Sequence, residues 1–138
     1  MYVYERFVAD GRPPTAEETG EALGIGREAA EEGYRRLEQG RVIVLAPGTT
    51  NIWLANPLCA TPSSFAVEAR GRSWWGVCVW DELGIPPMLG DDGVVSTRCP
   101  DCGAPIELEI RKGGLAPTPA VVHFAVPAAH WWDNIVFT

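Results

Sequence analysis

The front part of the chain spaces its apolar residues as short amphipathic helices do. Three helices are predicted, over Tyr2 to Ala9, Thr15 to Leu23 and Arg27 to Gln39. Thr15 is the expected N-cap of the second helix, and Ala22 and Leu23 are its expected apolar contacts. The inward residues of the other two helices should be Val3, Phe7, Ala30, Tyr34 and Leu37.

Two short apolar runs follow the helices. They cover Arg41 to Ala46 and Asn51 to Ala55, and Pro47-Gly48-Thr49-Thr50 joins them as a hairpin turn would. Helix, tight turn, helix and hairpin is the order found in a winged helix-turn-helix. We therefore predict a winged-helix-like subdomain over residues 1–55.

Residues 56–138 predict a second subdomain built mainly of strands. These are expected at Phe65 to Ala69, Val94 to Arg98, Ile106 to Ile110, Val121 to Val126 and, at the end, Ile135 to Phe137. The stretch from Trp74 to Ile85 is predicted to be helical and to end at Gly84 and the Pro86-Pro87 pair. The predicted fold class is α+β, with the winged-helix-like helices and hairpin packed on a small mixed β-sheet whose one helix carries Cys78.

Composition and charge exclude several functional classes. A net charge of −7 argues against strong non-specific binding to nucleic acid, because phosphate neutralisation supplies most of that affinity. On the third helix, glutamates offset Arg27, Arg35 and Arg36, so its exposed face does not predict duplex binding. No apolar run approaches the roughly 20 residues of a membrane span, and the start lacks a signal-peptide pattern. We expect a cytoplasmic protein with no membrane partner; oligomerisation is left open.

The stretch around Cys78 carries the first candidate chemistry. Cys78 and Asp81 stand three residues apart, on one face if the stretch is helical, among Trp74, Trp75 and Trp80. A thiolate is a soft ligand and a nucleophile, and an acid in an apolar surround can exchange protons with it. The other interpretation is a buried free thiol beside an aspartate that caps a helix.

Cys99 and Cys102 form a Cys-x-x-Cys pair on a predicted turn, with sulfurs that can converge on one ion. Three interpretations remain open: a zinc knuckle completed by Cys59 or Cys78, a redox pair, or two thiols that brace a turn. The metal-ligand candidates are therefore Cys78, Cys99 and Cys102.

Taken in order, these segments resemble the organomercurial (alkylmercury) lyase family over nearly the whole chain. The resemblance rests on the winged-helix-like front, Asn56-Pro57 before a Thr-Pro loop, and four later segments. These are Gly76 to Leu83, Val95 to Cys99, Gly103-Ala104-Pro105 and Val122 to Pro127. It implies that Cys78 and Asp81 are catalytic and that Cys99 is structural.

The resemblance implies protonolysis of carbon–mercury bonds. Thiolates hold the mercury of an R–Hg⁺ ion, and Asp81 delivers a proton to the leaving carbon. The substrate pocket that receives the apolar R group would be formed by Trp74, Trp75 and Trp80. The family's second catalytic cysteine lies beyond the segment that Asp133 to Thr138 resembles, so Cys102 or a small thiol would replace it in a shortened member. The chemistry requires no resident cofactor, although Cys99 and Cys102 could hold zinc. Two alternatives remain: a non-catalytic thiol protein binding Zn²⁺, Cu⁺ or Hg²⁺, and a winged-helix metal-responsive regulator.

Overall fold

Three helices form the front of the computed structural model, which describes residues 1–135. They are α1 (Tyr2–Asp10), α2 (Ala16–Leu23) and α3 (Arg27–Gln39). Thr15 caps α2 as predicted, in a reciprocal capping box with Glu18. The predicted contacts of Ala22 and Leu23 are wrong: both residues are exposed, Leu23 to 51%, because α2 buries Ala16, Thr19 and Gly20 instead.

A three-stranded antiparallel sheet follows the helices. Its strands, in order, are β1 (Val44–Leu45), β2 (Ile52–Ala55) and β3 (Leu58–Cys59). The hairpin is confirmed, and β3, which the sequence does not predict as a strand, pairs with β2. The proposed boundary between residues 55 and 56 therefore falls inside this sheet. The winged-helix assignment stays a prediction.

The second sheet contains five strands in the order β5-β4-β6-β7-β8. They are β4 (Ala66–Ala69), β5 (Arg72–Trp75), β6 (Gly93–Arg98), β7 (Pro105–Arg111) and β8 (Gly114–Leu115). The predicted pair of β6 and β7 is confirmed, but the sheet is antiparallel throughout rather than mixed. The reason is that the helix after β5 returns the chain to the other end of the sheet, so β6 runs opposite to β4.

That helix is α4 (Val79–Leu89), and it differs from the prediction at both ends. Trp74 and Trp75 belong to β5, and the helix continues through Pro86 and Pro87 until Gly90 ends it with a left-handed φ of 67°. A proline supplies no N–H but keeps a helical φ, so the pair removes hydrogen bonds without ending this helix. The Pro86 ring lies against β6, where a Cβ at Gly93 would approach its Cγ to 2.6 Å.

The core joins both parts of the chain in one unit. Across the second sheet, Trp74, Val67, Val95 and Leu108 occupy paired positions and form a buried row. Ile85 and Leu89 of α4 belong to the same cluster, as do Phe7 of α1 and Tyr34 of α3. The front helices and the second sheet therefore share one buried cluster.

The two ends of the second sheet carry different residues. Trp75 of β5 and Ser96 of β6 both lie opposite Ala66, so the two strands leave the sheet at the same end. Cys78 and Cys99 each follow three residues later. The other end holds the tight turns at Arg70-Gly71 and Lys112-Gly113.

The last described segment contains no strand. Residues 121–126 belong to no sheet within the described part of the chain, and a short 3₁₀ helix follows at Ala128–Asp133. The predicted strand there is wrong; Val121 is 88% exposed, so no sheet face buries it. Of the predicted strand at Ile135 to Phe137, only Ile135 is described, in a turn, and the remainder lies outside the described residues.

No helix in residues 1–135 is both long and apolar enough to cross a membrane.

Candidate active site

Cys78 and Asp81 meet at the first turn of α4. Cys78 is the N-cap residue, with an extended backbone, and its thiol donates to Asp81 Oδ2 across 3.7 Å. The same carboxylate oxygen accepts the backbone N–H of Val77 at 3.1 Å. Both side chains are only partly exposed. The predicted juxtaposition is therefore present, with the thiol at the helix N-terminus rather than within the helix.

Gly76 makes room for this contact. An added Cβ would lie 2.7 Å from Cβ of Asp81, closer than real side chains approach. The Gly76 carbonyl accepts the Ser63 hydroxyl at 2.7 Å, and its N–H donates to the carbonyl of Phe65 at 3.3 Å. These bonds fix the segment before Cys78 against the loop that leads into β4.

Burial shifts both titratable groups in the same direction. It raises the pKa of the Cys78 thiol, and the backbone N–H groups of Asp81 and Trp80 oppose that rise. Burial also raises the pKa of Asp81, against the N–H groups of Val77 and Cys78 and the thiol, which favour the carboxylate. At rest the thiol therefore keeps its proton, with an acceptor of increased basicity beside it.

Glu82, the neighbour of Asp81 on α4, is a buried acid that the sequence interpretation missed. Its side chain is 0% exposed, and neither carboxyl oxygen has a hydrogen-bond partner within the described residues. Burial, with the charge of Asp81 as a second cause, raises its pKa to about 8. Its spacing of three and seven residues from Ile85 and Leu89 was the available signal, because that spacing lies on one helix face.

The three tryptophans do not form one pocket. Trp74 is 3% exposed in the core, where its Nε1 donates to the carbonyl of Ala69 at 3.0 Å. Trp75 packs in a separate cluster with Trp53, Val77 and Trp132. The predicted pocket is wrong in this respect, because successive residues of a strand point to opposite faces.

Trp80 is the tryptophan on the helix turn that carries Asp81. Trp80 is 59% exposed, and its ring packs against that of Phe124 in a T-shaped arrangement with ring centroids 6.3 Å apart. Phe124 in turn packs on Trp131 at 5.0 Å. An aromatic group therefore extends from the first turn of α4 to the segment before the 3₁₀ helix.

Cys99 and Cys102 lie on the turn between β6 and β7. The Cys99 sulfur accepts hydrogen bonds from the backbone N–H groups of Cys102 and Asp101 and from the Cys102 thiol, which lower the pKa of Cys99. All four cysteines are free thiols, with Cys59 buried.

The predicted three-cysteine metal site is not formed. Among residues 1–135, no three His, Cys, Asp or Glu side chains are grouped so that they could hold a metal ion. Cys78 and Cys99 follow strands separated by β4, which places the strands roughly 10 Å apart. Cys78 and Cys59 therefore do not complete a site with Cys99 and Cys102.

Comparison with known proteins identifies the family. The family model described as alkylmercury lyase matches residues 58–138, which contain Cys78, Asp81 and both cysteines of the turn. The chain belongs to the alkylmercury lyase family.

Two alkylmercury lyases show the extent of the similarity. The one from Pseudomonas putida is 32% identical over 133 residues, which make up 90% of this chain and 58% of the relative. The one from Streptomyces lividans is 28% identical over 133 residues, 90% of this chain and 57% of the relative. The chain thus spans somewhat more than half the length of these lyases.

A solved structure supports the α+β assignment. The crystal structure of the mercury-bound form of MerB2 superposes with a TM-score of 0.66 at 26% identity. The superposition covers 82% of this chain and 54% of the other.

Proposed function

We propose that the chain cleaves carbon–mercury bonds by protonolysis, with Cys78 as the mercury ligand and Asp81 as the proton donor. The observation that carries the proposal is the contact between the Cys78 thiol and the Asp81 carboxylate at the start of α4. Family membership supports an organomercurial ion, R–Hg⁺, as the proposed substrate class.

The first step is capture of the substrate. Mercury bonds to the Cys78 sulfur, and the S–H proton moves to Asp81 Oδ2, which already faces the thiol. A soft cation favours a soft thiolate, so binding compensates for the raised pKa of this thiol. The products are neutral R–Hg–S and a protonated Asp81.

The second step breaks the carbon–mercury bond. Asp81 gives its proton to the carbon, the electron pair of the bond forms the new C–H bond, and R–H leaves. Burial supports this role because it raises the pKa of Asp81 and favours the protonated acid that the step consumes.

A second sulfur donor must hold the mercury that remains on Cys78. Cys102 was the candidate, but it is exposed on the turn after β6, two strands from β5. We therefore assign the role of second sulfur donor to a small external thiol.

The test is release of benzene from phenylmercury with and without excess small thiol. Cys78→Ser should lower the rate by at least about 100-fold because thiol capture is lost, and Asp81→Asn should lower it by as much because general acid catalysis is lost. The unchanged chain should need added thiol for turnover.

Two matched substitutions serve as controls. Cys102→Ser removes an exposed thiol and Asp91→Asn an exposed carboxyl, and both should leave the rate with added thiol within about twofold. Undiminished benzene release by Cys78→Ser would disprove the assignment of that residue. Tight mercury binding by every form without any release would instead favour the non-catalytic thiol protein.

A further inference from the structure

The turn between β6 and β7 holds its two cysteines in a defined geometry. The Cys99 N–H donates to the carbonyl of Ala104, and the Gly103 N–H donates to the carbonyl of Cys99, both at 2.8 Å. Arg98 Nη1 adds a bond to the carbonyl of Gly103 at 3.1 Å. Gly103 has a φ of 71°, which favours glycine at this position. The turn is therefore fixed by its backbone before any ligand binds.

The closed turn keeps the two cysteines three residues apart on one short connection between β6 and β7. The backbone N–H groups of Cys102 and Asp101 lower the pKa of Cys99, which favours the thiolate that a soft cation binds. Cys102 is exposed, so an ion can approach from solvent.

The geometry points to a second metal site, in which Cys99 and Cys102 hold a soft cation, such as Hg²⁺ or Cu⁺, through two sulfurs alone. A tetrahedral zinc site requires four ligands, and among residues 1–135 no third His, Cys, Asp or Glu side chain joins this pair. Two thiolates match instead the soft thiophilic cations that accept two-coordinate binding.

The binding of Hg²⁺ by this pair balances in atoms and charge, and it needs no further reactant. Two S–H bonds are replaced by two S–Hg bonds, and two protons leave to solvent, so the site becomes neutral. The site is distinct from Cys78, because β4 separates the two strands that lead to Cys78 and Cys99. The inference therefore does not require the proposed lyase activity.

The experiment uses the full, reduced chain carrying Cys78→Ser, which removes the proposed substrate thiol. One equivalent of Hg²⁺ is added, and the protein is challenged with increasing monothiol while retained metal is read by native mass spectrometry. Linked ligands resist a monodentate competitor, so further substitution of Cys99 or Cys102 by serine should reduce the monothiol needed for half-release by about 100-fold. X-ray absorption should count two sulfur neighbours.

Asp101→Asn is the matched control, because it changes the residue between the cysteines and keeps both sulfurs. Added to the Cys78→Ser chain, it should leave the monothiol concentration needed for half-release of Hg²⁺ unchanged. Equal release with and without Cys99 or Cys102 would overturn the inference. Four sulfur neighbours, with one metal shared by two chains, would also overturn it in favour of a tetrahedral site between copies. Loss of benzene release in Cys78→Ser reports on the lyase proposal alone.

Discussion

Glu82 carries a buried carboxyl group that has no hydrogen-bond partner among residues 1–135. The strands that pack against α4 present Val67, Val95 and Leu108 at their buried positions, and Asp81 is the charged group that acts on it. An unpaired carboxylate in such a place would cost several kcal/mol, so the folded protein keeps Glu82 protonated near neutral pH. A protonated Glu82 adds no negative charge beside Asp81.

We predict that Glu82 makes the folded state less stable as the pH rises. Its pKa of about 8 in the folded chain exceeds the ordinary 4.5, so the folded state binds the extra proton between these values. The resulting stability is fully present below pH 4.5 and is lost as the pH rises through about 8, a total of about 5 kcal/mol.

Urea unfolding between about pH 5 and about pH 8 checks this prediction. Glu82→Gln should remove most of the decline in the free energy of unfolding, whereas Glu107→Gln, which removes an exposed carboxyl, should preserve it. An unchanged decline in Glu82→Gln would show that the carboxyl is charged or partnered in solution.

A single methyl group at Gly76 should separate the catalytic pair. Because its Cβ would lie 2.7 Å from Cβ of Asp81, Gly76→Ala should displace that carboxyl from Cys78. We expect benzene release to fall by about 100-fold, a typical effect of misplacing a reacting group by about 1 Å, while circular dichroism stays unchanged.

Gly84→Ala is the matched control on α4. A Cβ there would approach Pro57 only to 3.9 Å, an ordinary contact, and alanine should stabilise the helix by about 0.5–1 kcal/mol. The assignment of Gly76 would fail if both alanine variants released benzene at the same rate.

At the scale of elements, the contact of α4 with β6 depends on Gly93. A Cβ at this position would lie 2.6 Å from Cγ of Pro86 and 3.1 Å from the carbonyl oxygen of Glu68. Gly93→Ala should therefore lower the free energy of unfolding by about 1–3 kcal/mol through overpacking. Gly114→Ala on β8, where a Cβ meets only the Arg111 carbonyl at 3.9 Å, should change it little. Equal unfolding midpoints would contradict this packing.

The sequence predicted those elements that carry their own local signals. The capping residue Thr15, the hairpin turn from Pro47 to Thr50 and the alternation in β4 all gave correct elements. The stretch from Trp74 to Ile85 failed because one apolar run contains a strand end and then a helix, and short apolar runs do not distinguish the two. The predicted end of the helix at Pro86 and Pro87 was wrong as well, because only the tertiary contact with β6 shows that the helix continues past them.

At the scale of the whole molecule, the candidate site was predictable where it is local. Cys78 and Asp81 are three residues apart in sequence and meet within one helical turn. Whether Cys78 joins Cys99 depends on strand order, and β4 between β5 and β6 separates them. The faces of Trp74 and Trp75 likewise follow from strand pairing, which local sequence does not determine.

The opposite ends of the second sheet also determine how the molecule can be attached to a support. Lys112 is the one lysine in the sequence, and it is exposed in the turn at the end remote from Cys78 and Cys99. Apart from the α-amino group, amine-reactive chemistry therefore has a single point of attachment. A sensor surface coupled through Lys112 would leave the thiol-bearing end of the sheet directed toward the solution.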